Sequence, residues 1–189
     1  MNSSKAPSRG RANRGRVRII GGRWRSRLVE FPGREGLRPT PDRVRETLFN
    51  WLGQDLEGRS CLDLFAGSGA LGFEAASRGA ARVVMVERDP ASVAALQENR
   101  ARLGGDAVEI VRADALAWLE AGAGRFDVVF ADPPFRQNLL PAVLARLPQR
   151  LADGGCVYAE ADHAVEEPGW RVLKHARAGQ VHYQLLQPG

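Results

Sequence analysis

The sequence predicts an α/β fold built on a largely parallel sheet. Short apolar runs alternate with segments whose apolar residues recur at helical spacing, which is typical of βαβ units. A glycine-rich turn at 67–72 follows one apolar run, and Pro133-Pro134 ends another, as expected where buried strands give way to loops. With 189 residues and 44% hydrophobic content, the chain can form one well-cored domain with a small extension.

The N-terminal region is strongly basic, whereas the rest of the chain is mildly acidic. Nine of the 27 lysine and arginine residues precede Leu28, and no acidic residue precedes Glu30. The remainder carries 18 basic residues against all 22 acidic ones, so the formal net charge of +5 belongs to the N-terminus. A basic arm on an acidic body is typical of nucleic-acid binding, because neutralised phosphates release counterions; a solubilising tail is the alternative.

Two N-terminal segments are distinguished by composition. Residues 1–15 have almost no apolar side chains and are predicted to be disordered until they meet a partner. Residues 16–37 are predicted to form a β-hairpin extension that turns at Gly21-Gly22. Trp24 could stack on a base there, although a packing role is favoured. The predicted RNA-binding residues are Arg16, Arg18, Arg23, Trp24, Arg25, Arg27 and Arg38.

Residues 38–189 are predicted to form the main domain. Thr40 is expected to cap a helix from about Pro41 to Leu52, because Pro41 suits its first position and apolar side chains recur along one face. Right-handed crossovers should make the following strands parallel, and the last two segments should close the sheet as an antiparallel hairpin. Predicted strands are 60–64, 82–86, 108–112, 126–131, 156–161, 170–174 and 181–186; the helices between them end near 79, span 90–103, end at 119 and span about 139–151.

The tetrad Asp132-Pro133-Pro134-Phe135 follows directly on the apolar run 126–131. Ligands of open α/β sheets bind beyond the carboxyl ends of the strands, so chemistry is expected near Asp132. The prolines have no N–H, which leaves loop carbonyls free to accept hydrogen bonds, and Phe135 offers a ring face. A planar substrate that carries an amino group fits this combination.

The glycine loop points to a cationic cofactor. Gly67, Gly69 and Gly72 match G-x-G-x-x-G, which alone allows a dinucleotide. Asp63, however, stands at the strand end beside the loop, where its charge opposes a pyrophosphate and attracts an ammonium or sulfonium. S-adenosylmethionine has that character, with Glu87 placed for its ribose diol and Asp114 for its adenine amino group; a helix N-cap is nearly as good an explanation of Asp114. The predicted cofactor residues are Asp63, Phe65, Ala66, Gly67, Ser68, Gly69, Glu87, Arg88, Asp114 and Ala115.

In combination, these motifs closely resemble the bacterial small-subunit ribosomal RNA guanine-N2 methyltransferases of the RsmD type. The resemblance runs from about Arg18 to Gln187 and implies a Rossmann-like class I methyltransferase fold, a seven-stranded mostly parallel sheet with helices on both faces. It also implies that Arg43, Thr47 and Phe49 line the methionine end of the cofactor pocket. The implied substrate is guanine 966 of 16S RNA in an assembled or assembling small subunit. The resemblance rests on segments 18–22, 38–40, 42–51, 65–72, 132–135 and 179–181.

Other functions stay open at this stage. The tetrad alone would also suit DNA adenine or cytosine amino-methyltransferases, and less well a protein glutamine methyltransferase, because those enzymes usually carry Asn at the position of Asp132. An NAD-type oxidoreductase matches the glycine pattern but is opposed by Asp63. A non-catalytic RNA-binding module would explain the arginines and leave the tetrad without a role.

The predicted mechanism relies on positioning, because the lone pair of guanine N2 is delocalised into the ring. Asp132 and the carbonyl of Pro133 are expected to accept hydrogen bonds from the amino group, while Phe135 stacks on a flipped-out base. The catalytic set is therefore Asp132, Pro133, Pro134 and Phe135, with no metal.

Cys61 and Cys156 are predicted to be reduced core residues. No signal peptide or membrane span is evident, so a cytoplasmic protein is expected. A monomer is the default expectation for its oligomeric state.

Overall fold

The structure, a computed structural model, describes residues 14–33, 37–134 and 137–189, and every predicted strand and helix of the main domain is present. The strands are β1 (Arg14–Arg18), β2 (Leu28–Pro32), β3 (Ser60–Asp63), β4 (Arg82–Glu87), β5 (Val108–Arg112), β6 (Phe126–Ala131), β7 (Leu151–Ala161), β8 (Trp170–Ala178) and β9 (Val181–Pro188). The helices are α1 (Asp42–Trp51), α2 (Ala70–Ser77), α3 (Pro90–Leu103), α4 (Ala115–Ala121) and α5 (Leu140–Arg146).

Seven strands form the main sheet in the order β5-β4-β3-β6-β7-β9-β8. The first five of these strands pair in parallel, whereas β9 pairs antiparallel with both β7 and β8. This confirms the predicted α/β sheet and its closing hairpin. The chain moves outward from β3 to β5 on one side and from β6 onward on the other, so the topological switch point lies between β3 and β6.

Helices cover both faces of this sheet, and the strand residues alternate between two apolar clusters. Cys61 belongs to a cluster with residues of α1, α2 and α3, whereas its neighbour Leu62 belongs to one with residues of α4 and α5. Successive side chains of a strand point to opposite faces, so burial on both sides requires a continuous apolar run. That requirement explains why the central strands were recognisable in the sequence.

The N-terminal hairpin is present, but its connection differs from the prediction. Strands β1 and β2 pair antiparallel, and residues 19–27 form the connection between them instead of a two-residue turn at Gly21-Gly22. This connection is longer than a tight turn because its backbone binds α2. The N–H groups of Ile20 and Gly21 donate to the Glu74 carboxylate over 2.9 and 2.8 Å. A Cβ at Gly22 would collide with the carbonyl of Ser77.

A buried ionic cluster underlies this junction. Glu74, which has no exposed surface, accepts hydrogen bonds from the guanidinium groups of Arg45 at 3.0 Å and Arg78 at 2.9 Å. Arg45 is also fully buried and donates through Nε to the carbonyl of Thr40 over 3.0 Å. The cluster therefore ties α1, α2 and the hairpin connection together at one point.

Several boundaries differ from the sequence-based prediction. Thr40 does not cap α1; Pro41 occupies the cap position without a side-chain hydrogen bond, and Thr40 donates to Glu160 instead. Helix α5 ends at Arg146 and continues as a short 3-10 helix at 147–150, because Pro148 cannot continue an α-helix. Strand β1 begins at Arg14, inside the segment predicted to be disordered, and the rest of that segment lies outside the described residues.

Cys61 and Cys156 are both buried and carry free thiols, in agreement with the predicted core role. Burial raises the pKa of Cys61 to about 12 and that of Cys156 to about 11. Across residues 14–33, 37–134 and 137–189, no helix has the length and apolarity that a membrane crossing requires. The same described residues contain no group of three or more His, Cys, Asp or Glu suited to a metal ion.

Candidate active site

Acidic residues stand at the carboxyl ends of all five parallel strands. In sheet order from β5 to β7 they are Asp114, Glu87, Asp63, Asp132 and Glu160. Four of these were predicted from the sequence. Glu160 was missed, although a single acid near the end of the apolar run 156–161 was a signal of the same kind. A row of carboxylates at one sheet edge favours a positively charged ligand.

Asp63 is the middle acid of this row and forms a hydrogen bond that holds the glycine loop in place. Its side chain is buried, and Oδ2 accepts a hydrogen bond from the N–H of Gly72 over 3.0 Å. Burial raises the pKa of Asp63 to about 7; the hydrogen bond from Gly72 and a weaker one from the N–H of Phe65 oppose the rise, and the charge of Glu87 adds to it. A buried carboxylate with a raised pKa is stabilised in its charged form by a nearby cation.

The loop itself depends on glycine. Gly67 has φ of +50° and Gly69 has φ of +80°, in the left-handed region that favours glycine. A Cβ on Gly69 would lie 2.7 Å from side-chain atoms of both Leu96 and Phe73. The N–H of Gly69 donates to the carbonyl of Ala66 over 2.6 Å, which closes a tight turn directly before α2.

Glu87 has a structural role that the sequence did not reveal. Its Oε2 accepts from the N–H of Gly67 over 2.8 Å, and its Oε1 accepts from the N–H of Asp89 over 2.8 Å. These two hydrogen bonds join the end of β4 to the glycine loop, so the carboxylate stabilises the loop whether or not a ligand is bound. Each oxygen has a second lone pair, so these bonds leave capacity for the predicted ribose contact.

Asp114 caps helix α4. Its Oδ1 accepts from the N–H groups of Leu116 and Ala117 over 3.0 and 3.2 Å, which is the structural alternative weighed against an adenine contact. The adenine contact stays a prediction. The remaining predicted residues of this edge differ in exposure: Ala66, Ser68 and Ala115 are buried, Phe65 is half-buried, and Arg88 is exposed.

Asp132 lies beside Glu160, across the switch point from Asp63. Ala131 pairs with Ala159 in the β6–β7 register, so the next residue on each strand is an acid. Burial raises the pKa of Asp132 well above its ordinary value, and the charges of Glu160 and Asp63 raise it further. Among the described residues, none donates a hydrogen bond to the Asp132 side chain.

The two prolines after Asp132 differ in their carbonyls. The carbonyl of Pro134 accepts from the N–H of Gln137 over 3.0 Å, so the expectation that both carbonyls would be free is wrong for this residue. The carbonyl of Pro133 receives no hydrogen bond from the part of the chain that the structure describes. Phe135, the fourth residue of the tetrad, lies outside the described residues.

The three predicted cofactor residues on helix α1 differ in their exposure to solvent. Arg43 is exposed, and Thr47, one turn later, is half-buried and donates through Oγ1 to the carbonyl of Arg43 over 3.0 Å. Phe49 has no exposed surface; its ring packs against Phe130 at 6.1 Å between centroids.

The predicted RNA-binding arginines Arg16, Arg18, Arg23, Arg25, Arg27 and Arg38 are all exposed. Trp24 is buried and packs edge-on against Phe73, which is the packing role that the sequence favoured over base stacking. The guanidinium of Arg23 lies over the Trp24 ring, 4.4 Å from its centroid. The hairpin therefore presents arginine outward and uses tryptophan to hold itself on the main domain.

This strand order, with a glycine loop after β3 and acids along the carboxyl edge, defines the class I methyltransferase fold. At the level of fold alone, the chain matches precorrin-6y C5,15-methyltransferase from Geobacter metallireducens with a TM-score of 0.65 and 19% identity, over 82% of this chain and 92% of that one. The family model described as conserved hypothetical protein 95 matches residues 17–187.

Individual relatives agree with that match. The chain is 43% identical over 179 residues to ribosomal RNA small subunit methyltransferase D of Escherichia coli K12, covering 92% of this chain and 90% of the relative. It is 40% identical over 183 residues to the Haemophilus influenzae protein of the same name, covering 92% and 95%. The solved structure of putative methyltransferase yhhF from Escherichia coli matches with a TM-score of 0.84 and 44% identity, over 92% and 98% of the two chains. The chain belongs to the family of conserved hypothetical protein 95, which is the RsmD family, and this confirms the resemblance seen in the sequence.

Proposed function

We propose that this protein transfers a methyl group from S-adenosylmethionine to the exocyclic N2 of guanine 966 in 16S ribosomal RNA of the small subunit. The observation that carries the proposal is the placement of Asp63 and Asp132 at the carboxyl ends of β3 and β6, the two adjacent strands on either side of the topological switch point. One acid adjoins the glycine loop, and the other begins the proline tetrad. The relatives known as ribosomal RNA small subunit methyltransferase D support ribosomal RNA as the methyl acceptor.

The residues present fit S-adenosylmethionine. Asp63 would face its positive charge, and the turn at Gly67 and Gly69 leaves backbone groups without intervening side chains. Glu87 would hold the ribose through its remaining lone pairs, and Asp114 with Ala115 would hold the adenine. When bound, the cofactor supplies an electrophilic methyl group on a sulfonium. The acids beside the glycine loop also disfavour NAD, because they would repel its pyrophosphate.

Asp132 and Pro133 would orient the nucleophile. The Asp132 carboxylate and the Pro133 carbonyl, which accept no hydrogen bond from the described residues, would bind the two N–H groups of guanine N2 and direct its lone pair toward the methyl group. Once it has received the methyl group, N2 would carry one proton too many. Asp132 can accept that proton on a carboxylate oxygen, because its raised pKa makes it a stronger base than an ordinary aspartate.

The N-terminal segments would bind the RNA. We propose that residues 16–37 form an RNA-binding extension on a methyltransferase domain of residues 38–189, with the basic tail 1–15 adding phosphate contacts. The exposed Arg18 and Arg25 support this division, because they form no ion pair within the described residues and can each neutralise a phosphate. Arg16, by contrast, pairs with Glu30 over 3.2 Å. The protein would act as a monomer.

Methyl transfer to unmodified small subunits tests the proposal. Subunits that lack the modification are incubated with the protein and radiolabelled S-adenosylmethionine, and the labelled nucleotide is mapped by nuclease digestion and mass spectrometry. We expect one N2-methylguanine at position 966. Label in a ribosomal protein, in DNA or on another base would contradict the proposal, and a parallel reaction with naked 16S RNA shows which form is the substrate.

A further inference from the structure

A cavity of about 300 Å³ opens beside the proline tetrad. Pro133 and Pro134 form one wall, residues 138–141 form another, and residues 160–167 complete it. Its lining contains Glu160, Asp162, Glu166 and Glu167. Because carboxylates repel phosphate, this cavity suits the donor-rich edge of a base better than the RNA backbone.

Within the described part of the chain, Glu160 accepts hydrogen bonds through one of its two carboxylate oxygens. It is 6% exposed, and its Oε1 accepts from the hydroxyl of Tyr158 over 2.7 Å and from Oγ1 of Thr40 over 3.2 Å. Among the described residues, none donates a hydrogen bond to Oε2. Two hydroxyl donors on the same oxygen orient the carboxylate and leave the second oxygen available to a ligand.

The position of Glu160 matches the shape of a guanine edge. Guanine carries its N1–H directly beside the N2 amino group, so two neighbouring acceptors meet a continuous row of donors. Adenine and 2-aminopurine have a lone pair at N1, which a carboxylate repels. Asp132 and Glu160 follow register partners on adjacent strands, which lie about 4.8 Å apart.

We propose that Glu160 determines base specificity by accepting the N1–H of the target guanine through Oε2, while Asp132 holds the N2 amino group. This inference rests on the proposed function and adds a residue that reads the base. Thr40 and Tyr158 act as positioning residues, because they fix the oxygen that does not touch the substrate.

The test compares guanine with 2-aminopurine, which keeps the reacting amino group and lacks N1–H. Small subunits are reconstituted with 16S RNA that carries either base at the nucleotide mapped above. For the wild-type protein we expect kcat/KM on 2-aminopurine to be at least about tenfold lower than on guanine, the discrimination typical of a good base contact. Equal values on the two bases would overturn the proposal without any variant being needed.

Glu160→Gln isolates the contact, because its amide keeps an acceptor for Tyr158 and can donate to N1. We expect its guanine kcat/KM to fall at least about tenfold and its preference for guanine over 2-aminopurine to disappear or reverse. Glu166→Gln removes a charge from the exposed rim of the same cavity and should keep the wild-type ratio. An unchanged ratio in Glu160→Gln, or equal loss in both variants, would refute the assignment. If the wild-type protein did not methylate guanine at all, the proposed function would fail first.

Discussion

Asp132 and Glu160 follow directly on Ala131 and Ala159, which are register partners on adjacent parallel strands. The charge of Glu160 raises the pKa of Asp132, after the larger effect of burial. An acid that holds its proton more firmly is a better proton acceptor once it is ionised. The neighbouring carboxylate thus contributes to the basicity of the residue placed nearest to the expected methyl acceptor.

Replacing Asp132 should separate chemistry from cofactor binding. We expect Asp132→Ala to lower kcat by orders of magnitude, because the amino group loses its acceptor. Asp132→Asn keeps an acceptor oxygen but is a much poorer proton acceptor, and should lose about 10²- to 10⁴-fold. Single-turnover methyl transfer measures both rates, and calorimetry should show S-adenosylmethionine affinity close to that of the wild type. Near-normal turnover by Asp132→Ala would remove this residue from the catalytic set.

Cofactor affinity should depend on pH through Asp63. The pKa of this carboxyl is raised from 3.8 to about 7, so the free protein is largely protonated there at pH 6 and ionised at pH 8. A cationic ligand prefers the ionised form, and affinity for S-adenosylmethionine should rise roughly tenfold between pH 6 and pH 8. Calorimetric titrations across this range give the slope.

The matched variant for that experiment is Asp63→Asn, which keeps an acceptor for Gly72 but cannot ionise. We expect it to bind more weakly and with little pH dependence over the same range. Asp132, whose pKa is also raised, is unchanged in this variant and would account for any residual slope. An identical slope in the variant would assign the pH dependence to Asp132 instead.

Alanine at Gly69 should disrupt the loop more than alanine at Gly104. Both glycines have positive φ, +80° and +66°, so both substitutions carry backbone strain of about 1 kcal/mol. Only at Gly69 does the new Cβ meet Leu96 and Phe73; no atom lies within 4 Å at Gly104. We expect Gly69→Ala to lose a further ~1–3 kcal/mol of unfolding free energy and most cofactor affinity. Urea denaturation of the two variants measures the difference, and equal losses would contradict the collision.

Glu74 should be critical for stability. Its carboxylate is fully buried between two arginines and two backbone N–H groups. Glu74→Gln removes the buried carboxylate that pairs with Arg45 and leaves that buried guanidinium paired with Asp42, whose side chain is exposed. We expect a loss of about 3–5 kcal/mol of unfolding free energy. Glu98→Gln, at an exposed ion pair with Arg14, should change stability by less than about 0.5 kcal/mol. A small change in unfolding free energy for Glu74→Gln would show that the junction does not depend on the negative charge of Glu74.

The basic tail should contribute to RNA affinity through its charge. Residues 1–13 carry Lys5, Arg9 and Arg11 and precede β1. Deleting them should weaken RNA binding and reduce the magnitude of the salt slope by up to about 2 to 3, since each lost phosphate contact removes about 0.7 to 0.9. A variant with serine at these three positions keeps the length and should behave like the deletion. An unchanged slope in both would leave the tail a solubilising role.

The sequence predicted the elements whose signals are local. Helix α3 was placed correctly at both ends, because Asp89 caps it, Pro90 begins it and the left-handed Gly104 ends it. Strand β6 was equally clear, since burial on both faces demands a continuous apolar run and Pro133-Pro134 stops it.

The features that the sequence did not reveal depend on partners far apart in the chain. Glu160 and Thr40 are 120 residues apart, and Arg45 and Glu74 are 29 residues apart. No periodicity or propensity predicts such a pairing, so the sequence indicates a helix cap at Thr40 and gives no sign of the buried contacts of Arg45. The same applies to Glu87, whose bond to Gly67 exists only because the sheet brings the two loops together.

Helix α2 sets a fixed distance inside the molecule. Its first residue, Ala70, follows the glycine loop, and its last, Ser77, accepts the N–H of Arg23 from the arginine-bearing connection over 2.8 Å. Eight helical residues span about 12 Å and do not stretch. The helix therefore keeps the glycine loop and the arginine-bearing connection at a fixed separation. If these arginines bind the RNA backbone as proposed, only a nucleotide at a matching distance from that backbone would reach the methyl group.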